Sequence, residues 1–222
     1  MATARPDPRF YHIDTHTLVL DCSAIDSIEH QHKQRMVNHL ANTYINQGCC
    51  IDVVSAHQCL TLYCAHGTDV VQLQQQLLTA WHQLDETTLS HAHHDIPVHY
   101  GGEYGIDLEA VAEASKMSVK EVIELHSSAL YEVDFLGFQP GFAYISGLPK
   151  ALHLPRLDTP RTEVKKGTVA IAHDKTAIYP AQSPGGWNLI GYTDLCLFDK
   201  HNTPPALFAP GDTIRFVEVD HD

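Results

Sequence analysis

The chain has 222 residues, 44% of them hydrophobic, with 13 Gly and 12 Pro, a composition that folds into globular units and excludes a disordered chain. Its 27 acidic residues against 14 basic ones give a formal charge of −13, which repels a nucleic-acid backbone and argues against nucleic acid as a partner. No apolar run reaches the roughly 18 residues that cross a bilayer, and no apolar h-region follows Met1, so a cytoplasmic chain without a membrane partner is expected.

Residues 10–13 and 18–22 read as short strands. A helix opens at Asp26 or Ser27 and closes at Gly48. Residues 50–54 and 59–64 are the next strands, the second alternating Leu60, Leu62 and Cys64 against Thr61 and Tyr63. A second helix begins near Thr68 or Asp69, and Val70, Leu73, Leu77, Trp81 and Leu84 share one face of it as core positions. This order predicts a small sheet covered by helices. The stretch 89–95 is polar and rich in His (His91, His93, His94), and the domain boundary is set there, giving an N-terminal α+β domain over 1–92 and a second domain over 93–222. Adjacent His side chains seldom converge on one ion, and no Cys-x-x-Cys pair exists, so no metal is expected and the six Cys are read as buried thiols.

Beyond the boundary, 96–100 is a strand and 107–116 a helix. Ser118 with Glu121 three residues on forms a capping-box pattern that opens another helix, ending around His126. From Leu130 onward, Gly and Pro punctuate short β-rich runs at 131–138, 168–172, 176–179, 189–192, 195–198 and 213–219. Many short strands with turn signals read as a barrel or a sandwich, so the whole chain is α+β.

The phosphate-loop, nucleophile-elbow and H-E-x-x-H motifs are all missing. Candidate chemistry gathers instead in the loops after residue 136. Phe138, Pro140, Phe142, Tyr179 and Trp187 set rings beside Pro and Gly, which makes rigid loops for a ligand pocket or partner surface, or else the tight turns of a barrel. Trp187 suits the core as well as a pocket wall. Arg156 and Arg161 each offer a planar fork to carboxylate or phosphate, or pair with Asp158, Glu163 or another acid. His126, near a helix C-terminus that favours its charged form, is an acid/base candidate or a capping or packing residue. Glu103 follows Gly101-Gly102 as a general base, a partner contact or a solvated loop side chain. Gln182, beside Ser183, is placed to hydrogen-bond a substrate amide.

Seven pieces of this half occur in a fixed order over 96–216. They are Ile96-Pro97-Val98 with Tyr100-Gly101-Gly102-Glu103-Tyr104-Gly105, Leu136-Gly137-Phe138-Gln139-Pro140-Gly141-Phe142, Pro155-Arg156, Pro160-Arg161, Ile178-Tyr179-Pro180, Ser183-Pro184-Gly185-Gly186-Trp187 with Leu189-Ile190-Gly191, and Pro210-Gly211-Asp212 with Ile214-Arg215-Phe216. In them the chain resembles the KipI / allophanate hydrolase subunit 1 family, on its 5-oxoprolinase branch. Residues 1–90 match only in their pattern of elements. The resemblance implies a cyclophilin-like β-barrel behind a small α+β domain. It implies ATP-dependent hydrolysis of 5-oxoproline to glutamate, with ATP as co-substrate alongside Mg2+ and no tightly bound cofactor, by one component of a heteromeric complex that is inactive alone. It further implies two partners: a protein of the allophanate hydrolase subunit 2 family, which is the C component of 5-oxoprolinase, and a LamB/YcsF-family protein, which is its A component. His126, Arg161 and Gln182 would then be catalytic, and Glu103, Phe138, Pro140, Phe142, Arg156, Tyr179 and Trp187 would meet substrate or partner. Two alternatives stay open on the same resemblance: a KipI-like histidine-kinase inhibitor and an allophanate hydrolase-type component. The chain departs from the family pattern at Lys165-Lys166-Gly167, His173 and Tyr192.

Overall fold

A computed structural model describes residues 6–25, 41–83 and 91–219, which fall into two compact units, 1–90 and 91–222. In the first, β1 (Arg9–His12), β2 (Thr17–Asp21), β3 (Cys50–Ser55) and β4 (Cys59–Cys64) form an antiparallel sheet in the order β1-β2-β4-β3. Period-two alternation decides its inner face. Leu18 and Leu20 lie opposite Leu62 and Leu60, all four buried, while Tyr11 and Tyr63 stay exposed. Helix α1 (Val70–Gln83) covers that face with Leu73, Leu77 and Trp81 at helical spacing. Asp69 starts the helix, its Oδ1 accepting from the Val71 and Gln72 N–H groups at 3.0 Å each. The helix expected from Asp26 or Ser27 falls mostly outside the described residues, as does Leu84; its described end is one π turn, Ala41–Ile45. All six Cys are free thiols. Cys22, Cys50 and Cys64 are buried as expected, but Cys196 is exposed.

The second unit holds β5 (His93–Tyr100), α2 (Leu108–Ser115), α3 (Val119–Ser128), β6 (Tyr131–Leu136), β7 (Ala143–Ser146), β8 (Arg161–Val164), β9 (Thr168–Ala172), β10 (Lys175–Ile178), β11 (Ser183–Gly185), β12 (Asn188–Tyr192) and β13 (Thr213–Glu218). Seven of these strands close a barrel in the order β10-β7-β6-β13-β5-β12-β9, with β10 pairing back to β9. The barrel form replaces the sandwich left open by the sequence. Ser118 and Glu121 form the capping box of α3 in both directions. Between β6, β7 and β10, Lys175 Nζ lies 2.9 Å from Asp134 Oδ2 and 2.8 Å from both Ser146 Oγ and Asp174 Oδ2.

Three expectations change. The His-rich stretch is not all connector: His93, His94 and Asp95 begin β5, because β13 runs parallel beside it from Thr213↔His93 to Glu218↔Val98. Asp212 anchors that junction, accepting from the Ala92 N–H at 2.9 Å and meeting His94 Nε2 at 3.0 Å. The run 195–198 is no strand; the Leu197 carbonyl accepts from the Leu207 N–H and the Asp199 N–H just beyond the run donates to the Pro205 carbonyl, leaving one isolated bridge, Phe198↔Ala206. Conversely β7, β8 and β11 lie within stretches read as loop, where flanking Pro and Gly mask short strands.

Candidate functional site

Alternation along the barrel strands creates two environments. Val169 and Ile171 of β9 face the interior, while Ala170 and Ala172 join Ala177 and Leu189 in an outer cluster. The small alanines leave room for rings above them. Phe142, 2% exposed, is the hub of those rings. It meets Tyr144 at 5.1 Å, Phe138 at 5.2 Å, Tyr179 at 5.4 Å and Trp187 at 5.8 Å, each edge to face.

A tight turn delivers Phe142. Its N–H donates to the Gln139 carbonyl at 3.0 Å, and the Gln139 N–H to the Gly137 carbonyl at 2.7 Å. Gly141 in this turn has φ +81°, and a Cβ there would stand 2.9 Å from the Leu197 carbonyl oxygen, so only glycine fits. Phe138 adopts φ 67° although it is aromatic, and the residue is 61% exposed. Such a backbone costs about 1–3 kcal/mol and concentrates at ligand clamps.

Arg156 sits on a loop clamped on both sides. Asn188 Nδ2 donates to the Pro155 carbonyl at 3.0 Å, and the Leu157 N–H to the Gly186 carbonyl at 2.7 Å. This sets the guanidinium Cζ 5.9 Å from the Trp187 ring centroid. The β8–β11 ribbon, with Gly185 opposite Arg161, adds the last wall. Together these residues enclose a cleft of about 230 Å³. Burial pushes the Tyr179 hydroxyl in this cleft up to about 12, against the opposing pull of the Trp187 backbone N–H and the Arg156 guanidinium. It is therefore a neutral donor at physiological pH.

Of the ten candidates from the sequence, the cleft gathers Phe138, Phe142, Arg156, Tyr179 and Trp187. Arg161 pairs with Gly185 in the ribbon but is not a lining residue of the cleft, and its side chain engages an acid instead. Its Nη2 lies 2.6 Å from Asp107 Oδ1, and Asp107 Oδ2 accepts from the Leu189 N–H at 2.7 Å, tying the start of α2 to β12. The ion pair foreseen as its alternative is made, though with neither Asp158 nor Glu163. Glu103 is exposed and pairs with Lys165 Nζ at 2.5 Å. Pro140 and Gln182 are exposed and outside the cleft lining. His126 is placed furthest from its expected role. It is 0% exposed inside the barrel, with Nδ1 2.7 Å from the Tyr100 hydroxyl and Nε2 3.2 Å from that of Thr176. Burial drives its pKa down to about 3, not up. That shift is worth roughly 5 kcal/mol, whereas a helix C-terminus offers at most about 2 kcal/mol the other way. Tyr144, Pro160, Pro184, Gly185 and Gly186 also line the cleft but were not among the ten candidates. Tyr144 is two residues past Phe142, the spacing that puts both side chains on one face of an extended chain.

Among the described residues, no three His, Cys, Asp or Glu side chains gather to hold a metal ion. Among them, no helix is long and apolar enough to cross a membrane.

The chain belongs to the family described as carboxyltransferase domain, subdomain C and D, which matches residues 8–208. That family includes the KipI / allophanate hydrolase subunit 1 proteins that the motifs resemble. Within it, the chain is similar to the B subunit of 5-oxoprolinase from Haemophilus influenzae, 41% identical over 185 residues that cover 83% of this chain and 87% of that protein. It superimposes on the crystal structure of TTHA0988 with TM-score 0.79 and 32% identity, covering 93% of this chain and 40% of that one, so it spans about two fifths of that relative's length. The Kluyveromyces lactis urea amidolyase shares the fold at TM-score 0.75 and 16% identity, over 99% of this chain and 15% of that one.

Proposed function

We propose that this chain serves as the B component of an ATP-dependent 5-oxoprolinase, which opens the 5-oxoproline lactam to glutamate in the cytoplasm. It acts with a C component of the allophanate hydrolase subunit 2 family and an A component of the LamB/YcsF family, with ATP and Mg2+ as co-substrate, and is inactive alone. One observation carries the reading: the cleft has binding groups but, among its described lining residues, no carboxylate, imidazole or thiol that could serve as a base. Its ionisable side chains are Arg156, Tyr179 and Tyr144, with no carboxylate, His or Cys among the lining residues. Attack on an amide needs a base matched to the working pH. A cleft that orients a substrate but lacks that base calls for a partner to supply it. The similarity to the 5-oxoprolinase of Haemophilus influenzae supports the substrate.

The test is reconstitution. Release of ADP dependent on 5-oxoproline should require all three components. Replacing Arg156 with Ala should lower it by about tenfold or more while the far-UV spectrum stays unchanged. Wild-type turnover in that variant would dismiss the cleft as the working site. Arg161, spent on Asp107, is a positioning residue, and His126 takes no part.

A further inference from the structure

The 5-oxoprolinase reading involves two ligands, a small cyclic amide and a nucleotide, and the cleft discriminates between them. We infer that it takes a small ring compound bearing one carboxylate and one amide carbonyl, the class of 5-oxoproline, and does not take the nucleotide. This inference rests on the oxoprolinase reading and adds to it which chain holds which ligand.

Size is the first argument. The cleft measures about 230 Å³. Sites for drug-sized ligands run from about 300 to 1,000 Å³, and a nucleoside triphosphate belongs in that range. A single five-membered ring falls below it. Charge is the second. Polyphosphates are held by several N–H groups, a lysine or a helix N-terminus. Arg156 is the one lining residue with a formal charge among those described, no lysine lines the cleft, and neither does any described helical residue.

The groups that are present fit the smaller ligand. A guanidinium fork matches one carboxylate, and Arg156 is held in place by the Asn188 and Leu157 bonds on either side of it. The Tyr179 side chain is 2% exposed, lines the cleft and keeps its proton at neutral pH. It donates to a neutral carbonyl such as that of a lactam. The Phe142 and Trp187 rings receive the ring methylenes, and exposed Phe138 stands where it covers a bound ligand. The nucleotide then belongs to another component of the enzyme.

Isothermal titration of the chain, alone and co-purified with its partner of the allophanate hydrolase subunit 2 family, tests this with L-5-oxoproline, 2-pyrrolidone and a non-hydrolysable Mg·ATP analogue. The expected result has four parts. 5-Oxoproline binds and the nucleotide analogue does not displace it. 2-Pyrrolidone, lacking the carboxylate, binds about tenfold or more weakly. Arg156→Ala brings 5-oxoproline down to the 2-pyrrolidone level and leaves nucleotide affinity of the complex unchanged. Tyr179→Phe weakens both lactams alike. Displacement of 5-oxoproline by the nucleotide, loss of nucleotide affinity in Arg156→Ala, or no 5-oxoproline binding in either preparation overturns the inference. Turnover of the wild-type reconstituted enzyme separates the two ideas: if it persists beside any of those results, the oxoprolinase role stands and only the ligand assignment falls.

Discussion

Inside the barrel, His126 stays neutral down to a pH of about 3, because burial opposes its charge. In the unfolded chain the same imidazole titrates near 6.5. The folded value is the lower one, so between the two the unfolded chain takes up a proton that the folded chain refuses. Stability therefore falls as the pH drops, starting near 6.5 and levelling off near 3. At a pH of about 5 the loss relative to neutral solution is about 2 kcal/mol, since each pH unit below 6.5 contributes 1.36 kcal/mol. Gln in place of His126 keeps a donor and an acceptor for the Tyr100 and Thr176 hydroxyls but cannot take up a proton. Urea unfolding of both proteins, followed by circular dichroism at a pH of about 7.5 and again at about 5, isolates this residue, because the other titrating groups cancel in the difference. Wild type should lose about 2 kcal/mol more than His126→Gln over that interval. Agreement of the two losses within about 0.5 kcal/mol would refute the neutral buried imidazole. Should the variant fail to fold, the His126 ring resonances of the wild type serve instead, and a shift between those two pH values would refute it equally.

Other substitutions probe the remaining features. A Cβ at Gly185 would overlap the Tyr179 hydroxyl and stand 2.9 Å from Tyr179 Cζ, so Gly185→Ala should cost the reconstituted enzyme up to about a hundredfold in turnover; an unimpaired variant would show that the ring need not sit where it does. Lys175→Met leaves the buried Asp134 without its ion-pair partner and with only the Ser146 hydroxyl donating to it, at a cost of about 3–5 kcal/mol in chemical denaturation. Adding Asp134→Leu should recover most of that loss, and a double variant no better than the single would contradict the pairing. Phe138→Gly relieves the φ of 67° and should stabilise the fold by about 1 kcal/mol while lowering turnover. A melt no higher than wild type would remove the case for strain.

The sequence shows most plainly what one element decides by itself. β4 and β9 run over the residues read from their alternation and turn signals, and the Ser118–Glu121 box opens α3 as its spacing requires. What depends on a distant partner is hidden. The start of β5 at His93 is set by β13, some 120 positions later, and polar His residues give no local sign of it. Arg161 and His126 carry the same lesson for the site. Whether a guanidinium meets a ligand or Asp107, and whether an imidazole meets solvent or a barrel interior, is fixed by residues far away in the chain. The aromatic and proline-rich loops read equally as contact surface or as barrel turns, and five of the ten candidate residues meet in one cleft because those loops spring from neighbouring barrel strands.

The position of β13 also constrains how the protein is made. This strand is wedged between β5 and β6, so the ring of strands cannot shut until residue 218 has cleared the ribosome. Until then two adhesive edges face each other across a gap, and α3 lacks part of its seat. A nascent chain halted near Phe208 would be expected to recruit chaperones or stick to its neighbours, whereas one released with Thr213–Glu218 complete closes the ring.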